Sequence, residues 1–130
     1  MCSTCGAAER DAEGRTRGEQ LLAQVQTACG ESRAIAASSV RCLWACTQRC
    51  TVHIRSRGRF GYVVGRLEPT EEAARALVDY AALYADSADG AVPFKQWPTA
   101  LRGHFVCRIP KAADPDPLGS SAELDVERTP

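Results

Sequence analysis

Three observations in the sequence predict an α/β domain. Leu21, Leu22, Val25 and Ala28 recur at helical spacing, and Ala74, Leu77, Val78, Ala81 and Tyr84 do so again. Between these runs the chain alternates every second residue, Val52 with Ile54 and then Phe60, Tyr62 and Val64. Two main helices therefore accompany a β-hairpin, in a sheet with helical cover.

Taken in order, residues 1–17 are polar and rich in glycine, alanine and charge, and read as loop apart from their cysteines. A helix follows over residues 18–28, with Cys29-Gly30 as its stop. Residues 33–40, small and mostly apolar, predict a strand that delivers the next segment into a loop. The hairpin strands are residues 51–55 and 59–64 around a Ser56-Arg57-Gly58 turn. Thr70 is the expected N-cap of the second helix, Glu71 and Glu72 suit its dipole, and it runs to about Ala85. Residues 92–110 hold two prolines around an aromatic pair, a short helical turn and an alternating run from His104 to Ile109. They predict a lid or an extra edge strand. Residues 111–130 carry three prolines among acidic and small residues, with too little apolar surface to offset ordering, so a disordered acidic tail is expected after a 1–110 domain.

Composition narrows the class. With 45% apolar and 25% charged residues over 130 positions, one soluble domain is ordinary. No apolar run approaches a membrane span, and no basic region followed by an apolar stretch marks a secretory signal, so the expected compartment is the cytoplasm. In that reducing setting the seven cysteines, an odd number in close clusters, point to metal or redox chemistry more than to disulfides.

The clusters lie in two places. Cys2 and Cys5 form a C-x2-C pair, and residues 41–50, RCLWACTQRC, place Cys42, Cys46 and Cys50 at spacings of four. Thiolates so spaced converge on one centre when the backbone is helical or tightly looped, as zinc or an iron-sulfur cluster requires. Five candidate ligands are thus on offer for a site that takes four, with one spare. Trp44, between Cys42 and Cys46, either shields a cluster from water or packs in the core. Cys29 reads as a buried structural thiol, and Cys107 as a core residue or the lone thiol of an edge strand. His53 and His104 are single strand histidines, more in keeping with surface residues than with ligands, although either would complete a site of three thiolates.

The formal net charge of zero hides an asymmetry. Residues 32–67 contain no acidic residue, yet Arg33, Arg41, Arg49, Arg55, Arg57, Arg59 and Arg66 fall there. Nearby arginines lower thiolate pKa and offset the negative charge of a thiolate-bound metal. The same face suits an acidic protein partner; a nucleic acid fits poorly, because few aromatics are interleaved for stacking. The bland alternative is a solvated hairpin face.

Several separated motifs carry a family likeness: the N-terminal C-x-T-C, the run Cys42-Leu43-x-x-Cys46-x-x-x-Cys50-Thr51-Val52, Tyr62-Val63-x-Gly65-x-Leu67, Leu83-Tyr84-Ala85-x-Ser87-x-x-Gly90-x-Val92-Pro93, and Arg108-Ile109-Pro110. They resemble a bacterial family of small predicted metal-binding proteins of otherwise unknown function, itself similar to the thioredoxin-like 2Fe-2S ferredoxins. The resemblance implies a thioredoxin-like sheet of the ferredoxin subtype with a C-terminal extension, and ligands at Cys2, Cys5, Cys42 and Cys46. Two departures from the ferredoxins stand out: Cys5 would replace a ligand that lies farther along, just before the helix, and Cys50 is extra. The likeness also implies a few residues of strand before the first cysteine, so a start upstream of Met1 is expected, which an intact mass of the native protein tests. Members of the family often lie beside cobalamin-biosynthesis and metal-trafficking functions.

Three functions follow as expectations. The first is electron transfer by a 2Fe-2S protein that does no bond chemistry itself and docks on an acidic redox or metal-transfer partner. The second is a module that holds zinc, or carries cobalt, through the same thiolates. The third, thiol-disulfide exchange at Cys2 and Cys5, leaves the other three clustered thiols unexplained. No Ser-His-Asp set, carboxylate pair or phosphate loop is visible, so the chain is not expected to be an enzyme.

Overall fold

The computed structural model describes residues 1–30 and 34–111; Arg33 and the expected acidic tail beyond Lys111 lie outside the described residues. Among the described residues the fold is mixed α/β, with two helices and a three-stranded antiparallel sheet. Helix α1 spans Arg17–Cys29 and α2 spans Glu71–Asp86; strands β1, β2 and β3 span Val52–Ile54, Gly61–Val64 and Phe105–Ile109.

Local chemistry fixes the helix ends. The Thr16 hydroxyl accepts from the Glu19 amide at 3.1 Å and Thr70 accepts from the Ala73 amide at 3.2 Å, so each helix begins on a threonine cap. Gly30 closes α1 at φ 56°, donating its N–H to the Thr27 carbonyl. The inward face of α1 carries Leu21 and Val25, and it packs against α2.

The sheet has the order β1-β2-β3. Val52 lies opposite Val64 and Ile54 opposite Tyr62, and the register of β2 with β3 slips between Val63 and Val64. β3 is thus the extra edge strand that the alternation of residues 104–109 predicts, and Cys107 is exposed on it. The two proline-bounded stretches before it form short 3-10 turns, Phe94–Gln96 and Thr99–Leu101.

Residues 34–40 differ from expectation. They form no strand beyond a single parallel bridge between Val40 and Cys2. Their alanines and serines present little apolar surface, and Ala34, Ala36, Ser38, Ser39 and Val40 are exposed; a strand gains stability from side chains that pack. The bridge still places the N-terminus. Ser3 donates to the Val40 carbonyl and Val40 to the Met1 carbonyl, both at 2.8 Å, while Cys2 donates to the Thr51 carbonyl at 3.2 Å. Residues 1–3 therefore run between Val40 and the start of β1.

An aromatic cluster forms the centre of the core. Tyr62 meets Tyr80, Tyr84 and Phe105 edge-on at centroid distances of 6.1, 6.2 and 5.8 Å, and Trp97 lies 4.3 Å from Phe105. Tyr84 donates to the Phe60 carbonyl at 2.5 Å and the Trp97 indole to the Val92 carbonyl at 2.8 Å. Tyr80 is fully buried, and its hydroxyl has no hydrogen-bond partner among the described residues. An unpaired buried hydroxyl costs free energy, so Tyr80→Phe is expected to leave stability equal or slightly higher, whereas Tyr80→Ala loses about 3–5 kcal/mol to the cavity. Urea unfolding midpoints of the two variants check this.

Candidate functional site

The candidate site is built where the turn of residues 2–5 meets the N-terminus of α1. Thr16 is buried; besides capping α1, its hydroxyl donates to the Ser3 carbonyl at 2.6 Å. Gly18 donates its N–H to the Cys5 carbonyl at 3.0 Å. The cysteine turn is thus fastened to the first turn of α1, at the positive end of that helix's dipole.

The second cysteine segment is fastened to the first. Thr4 donates its hydroxyl hydrogen to the Arg41 carbonyl at 2.8 Å, and the Cys2 thiol donates to the same oxygen at 3.8 Å. Residues 42–49 then loop outward through a 3-10 turn at Cys46–Gln48, with Trp44 at φ 60°. The chain returns at Cys50, whose backbone exchanges both hydrogen bonds with Leu67.

This path sorts the five clustered cysteines. Cys2, Cys5 and Cys50 are buried at 4%, 6% and 1% exposure, while Cys42 and Cys46 are exposed. The Cys42 sulfur accepts from the Trp44 amide at 3.3 Å. Among the described residues no three His, Cys, Asp or Glu side chains gather closely enough to hold a metal ion. The structure joins the two segments at Arg41 and leaves the Cys42 and Cys46 thiols exposed, without bringing them together with Cys2 and Cys5 into one group.

The buried thiols differ in acidity. Burial pushes Cys2 up, but hydrogen bonds from the Thr4 hydroxyl, the Leu43 amide and the Cys5 thiol outweigh it and bring Cys2 down to about 7. Burial and the neighbouring Cys2 push Cys5 up. Burial also raises Cys50, opposed by the adjacent Arg17 guanidinium. Arg17 pairs with Glu68 and Glu9, and Glu9 reaches Arg49 at 3.4 Å, so the arginines nearest the site are partly neutralised by carboxylates from outside residues 32–67. Burial of both Cys2 and Cys5 also hinders exchange with a protein disulfide, which needs access to the sulfur.

Over residues 1–111 the sequence matches the family described as protein of unknown function (DUF1636). The chain belongs to that family. None of the curated proteins and none of the solved structures matches it. This DUF1636 chain carries its cysteine turn, its cysteine loop and all of its sheet inside the matched span.

Other expected site residues fall elsewhere. Trp44 is 93% exposed, so it packs in no core. Cys29 is half-buried at the end of α1, less covered than the buried structural thiol expected. His53 is half-buried on β1, and His104 sits before β3 with its Nδ1 3.0 Å from the Gly65 carbonyl. Thr16 and Gly18 organise the cysteine turn without having been singled out, and Thr4 was marked only as the threonine of the C-x-T-C motif. Thr16 with Glu19 reads T-x-x-E, the pattern that marks a helix start, so one of these positions was legible.

Proposed function

We propose that this chain is a metal-binding protein of the 2Fe-2S ferredoxin-like, electron-transfer kind, with Cys2, Cys5, Cys42 and Cys46 as ligands. The observation that carries the proposal is the fastening of the two cysteine segments, through the Thr4 hydroxyl's hydrogen bond to the Arg41 carbonyl and the bridge of Cys2 to Val40. It keeps four soft donors within one loop's reach, two held in place and two at the surface. The donor chemistry fits the group, and closing the site requires the 42–46 loop to turn its thiols toward Cys2 and Cys5.

A thioredoxin-like arrangement is supported by the bridge of Cys2 to Val40 on one side and its hydrogen bond to Thr51 on the other. Together they extend the line of the sheet as 40, 2, β1, β2, β3. A bound 2Fe-2S cluster supplies one-electron chemistry. The chain's own part is to hold the thiolates: the Leu43 and Thr4 backbone amides favour the Cys2 thiolate, and the N-terminus of α1 adds positive potential. Cys50, turned inward beside Arg17, serves as the spare thiol. Exposed Arg41 and Arg49, with Trp44, offer an acidic redox partner its docking surface.

Reductive titration tests the proposal. Anaerobic protein is expected to take up about one electron per chain from dithionite with reversible loss of its visible bands, as a two-iron cluster does. Uptake of none by a zinc-loaded protein would leave a zinc- or cobalt-holding module instead.

A further inference from the structure

A cavity of about 520 Å³ opens along the outer edge of β1, between Met1, residues 34–38, Leu43 and the α1–α2 face. Its walls include the apolar side chains of Val25, Leu77 and Val78, and its rim carries His53, Arg55 and Arg59. Among the described residues no acidic side chain lines it. Arg59 is held in place, donating to the Tyr84 carbonyl at 3.2 Å with its guanidinium 5.9 Å from the Tyr84 ring centre. Arg55 is exposed and makes no salt bridge among the described residues.

We propose that this cavity binds a small organic anion: an apolar body seated against Val25, Leu77 and Val78, with its carboxylate or sulfonate at Arg55 and His53. The volume lies in the range of small-molecule sites, and an apolar floor with a few polar groups at one end is how such sites fix orientation. Guanidinium groups pair with two oxygens of a carboxylate, phosphate or sulfonate head through parallel hydrogen bonds, which selects such anions over neutral heads. The bland alternative, loose packing under residues 34–38, explains a void but not a rim of one charge sign. No cysteine lines the cavity, although Met1 and Leu43, next to Cys2 and Cys42, do, and the anion proposal needs no bound metal.

The test is a fluorescence titration of the full chain, as isolated, with 8-anilinonaphthalene-1-sulfonate, beside its neutral counterpart N-phenyl-1-naphthylamine. Saturable one-site binding of the sulfonate is expected, about tenfold or more tighter than the neutral probe, because a charged hydrogen bond contributes at least that factor. Arg55→Ala should weaken the sulfonate about tenfold and leave the neutral probe unchanged, and Ala81→Trp, which fills the cavity, should abolish both. Cooperative urea unfolding of each variant confirms that it is folded; should Ala81→Trp fail to fold, Arg55→Glu replaces it, with a greater loss expected than for Arg55→Ala. Unsaturable binding, equal affinity for both probes, or sulfonate affinity unmoved by the Arg55 variants would overturn the proposal.

Discussion

Gly18→Ala is expected to cost about 3 kcal/mol of stability or more and to disorganise the Cys2–Cys5 turn. A Cβ on Gly18 would sit 2.0 Å from the Cys2 carbonyl oxygen and 3.3 Å from the Cys5 Cβ. The first of these is backbone, so no side-chain rotation relieves it; either α1 or the cysteine turn must move. The intrinsic gain of alanine over glycine in a helix, about 1 kcal/mol, is too small to compensate. Gly14 is the control. It has φ +78° and open space around its would-be Cβ, so Gly14→Ala pays only the left-handed strain of about 1–2 kcal/mol. Urea unfolding distinguishes them, and equal losses at the two positions would show that the close approach of α1 to Cys2 contributes nothing special.

The cysteine-to-serine series carries the second large effect. Cys42→Ser and Cys46→Ser are expected to lower metal affinity by about 100-fold or more while leaving the unfolding midpoint of the metal-free chain unchanged. Both thiols are exposed, and even an outer partner of a metal ligand is worth 10- to 100-fold. Cys2→Ser and Cys5→Ser should lose metal and stability together, since both sulfurs are buried. Cys29→Ser and Cys107→Ser should retain full metal content. Cys50→Ser discriminates most sharply: it should destabilise the fold by about 1–2 kcal/mol, as a polar substitution in a buried site does, yet keep its metal. Metal-to-protein ratios after gel filtration read the series. Loss of metal in Cys50→Ser with retention in Cys46→Ser would move the ligand set inward.

Periodicity and caps made the helices and hairpin legible. Thr70 caps α2 as its sequence predicts, and β1 and β2 pair with the expected Val52, Ile54, Tyr62 and Val64 turned to one side. Residues 34–40 misled because apolar composition alone does not make a strand when the side chains are too small to pack. Tyr80 was missed for a different reason. It lies three residues after Leu77 and four before Tyr84, but the expected stripe runs through Val78 and Ala81, which are only half-buried, whereas the buried one runs through Ala73, Ala76, Leu77, Tyr80 and Tyr84.

At the site, sequence spacing identified the cysteines but not their burial. Cys42, Cys46 and Cys50 are evenly spaced, yet only Cys50 turns inward, because its backbone pairs with Leu67 beyond the end of β2. Trp44 read equally well as shield or core. Its positive φ on an outward loop carries it into solvent. The contacts that fasten Cys2 to Arg41 join residues 39 positions apart, a relation that no local pattern encodes.

The most direct test of the metal proposal is a visible spectrum of the anaerobically purified protein, with iron, acid-labile sulfide and zinc measured on the same sample. Red-brown protein with iron and sulfide in equal amounts is the predicted result. Colourless protein with stoichiometric zinc would contradict electron transfer, and colourless protein with neither metal would contradict the metal centre itself.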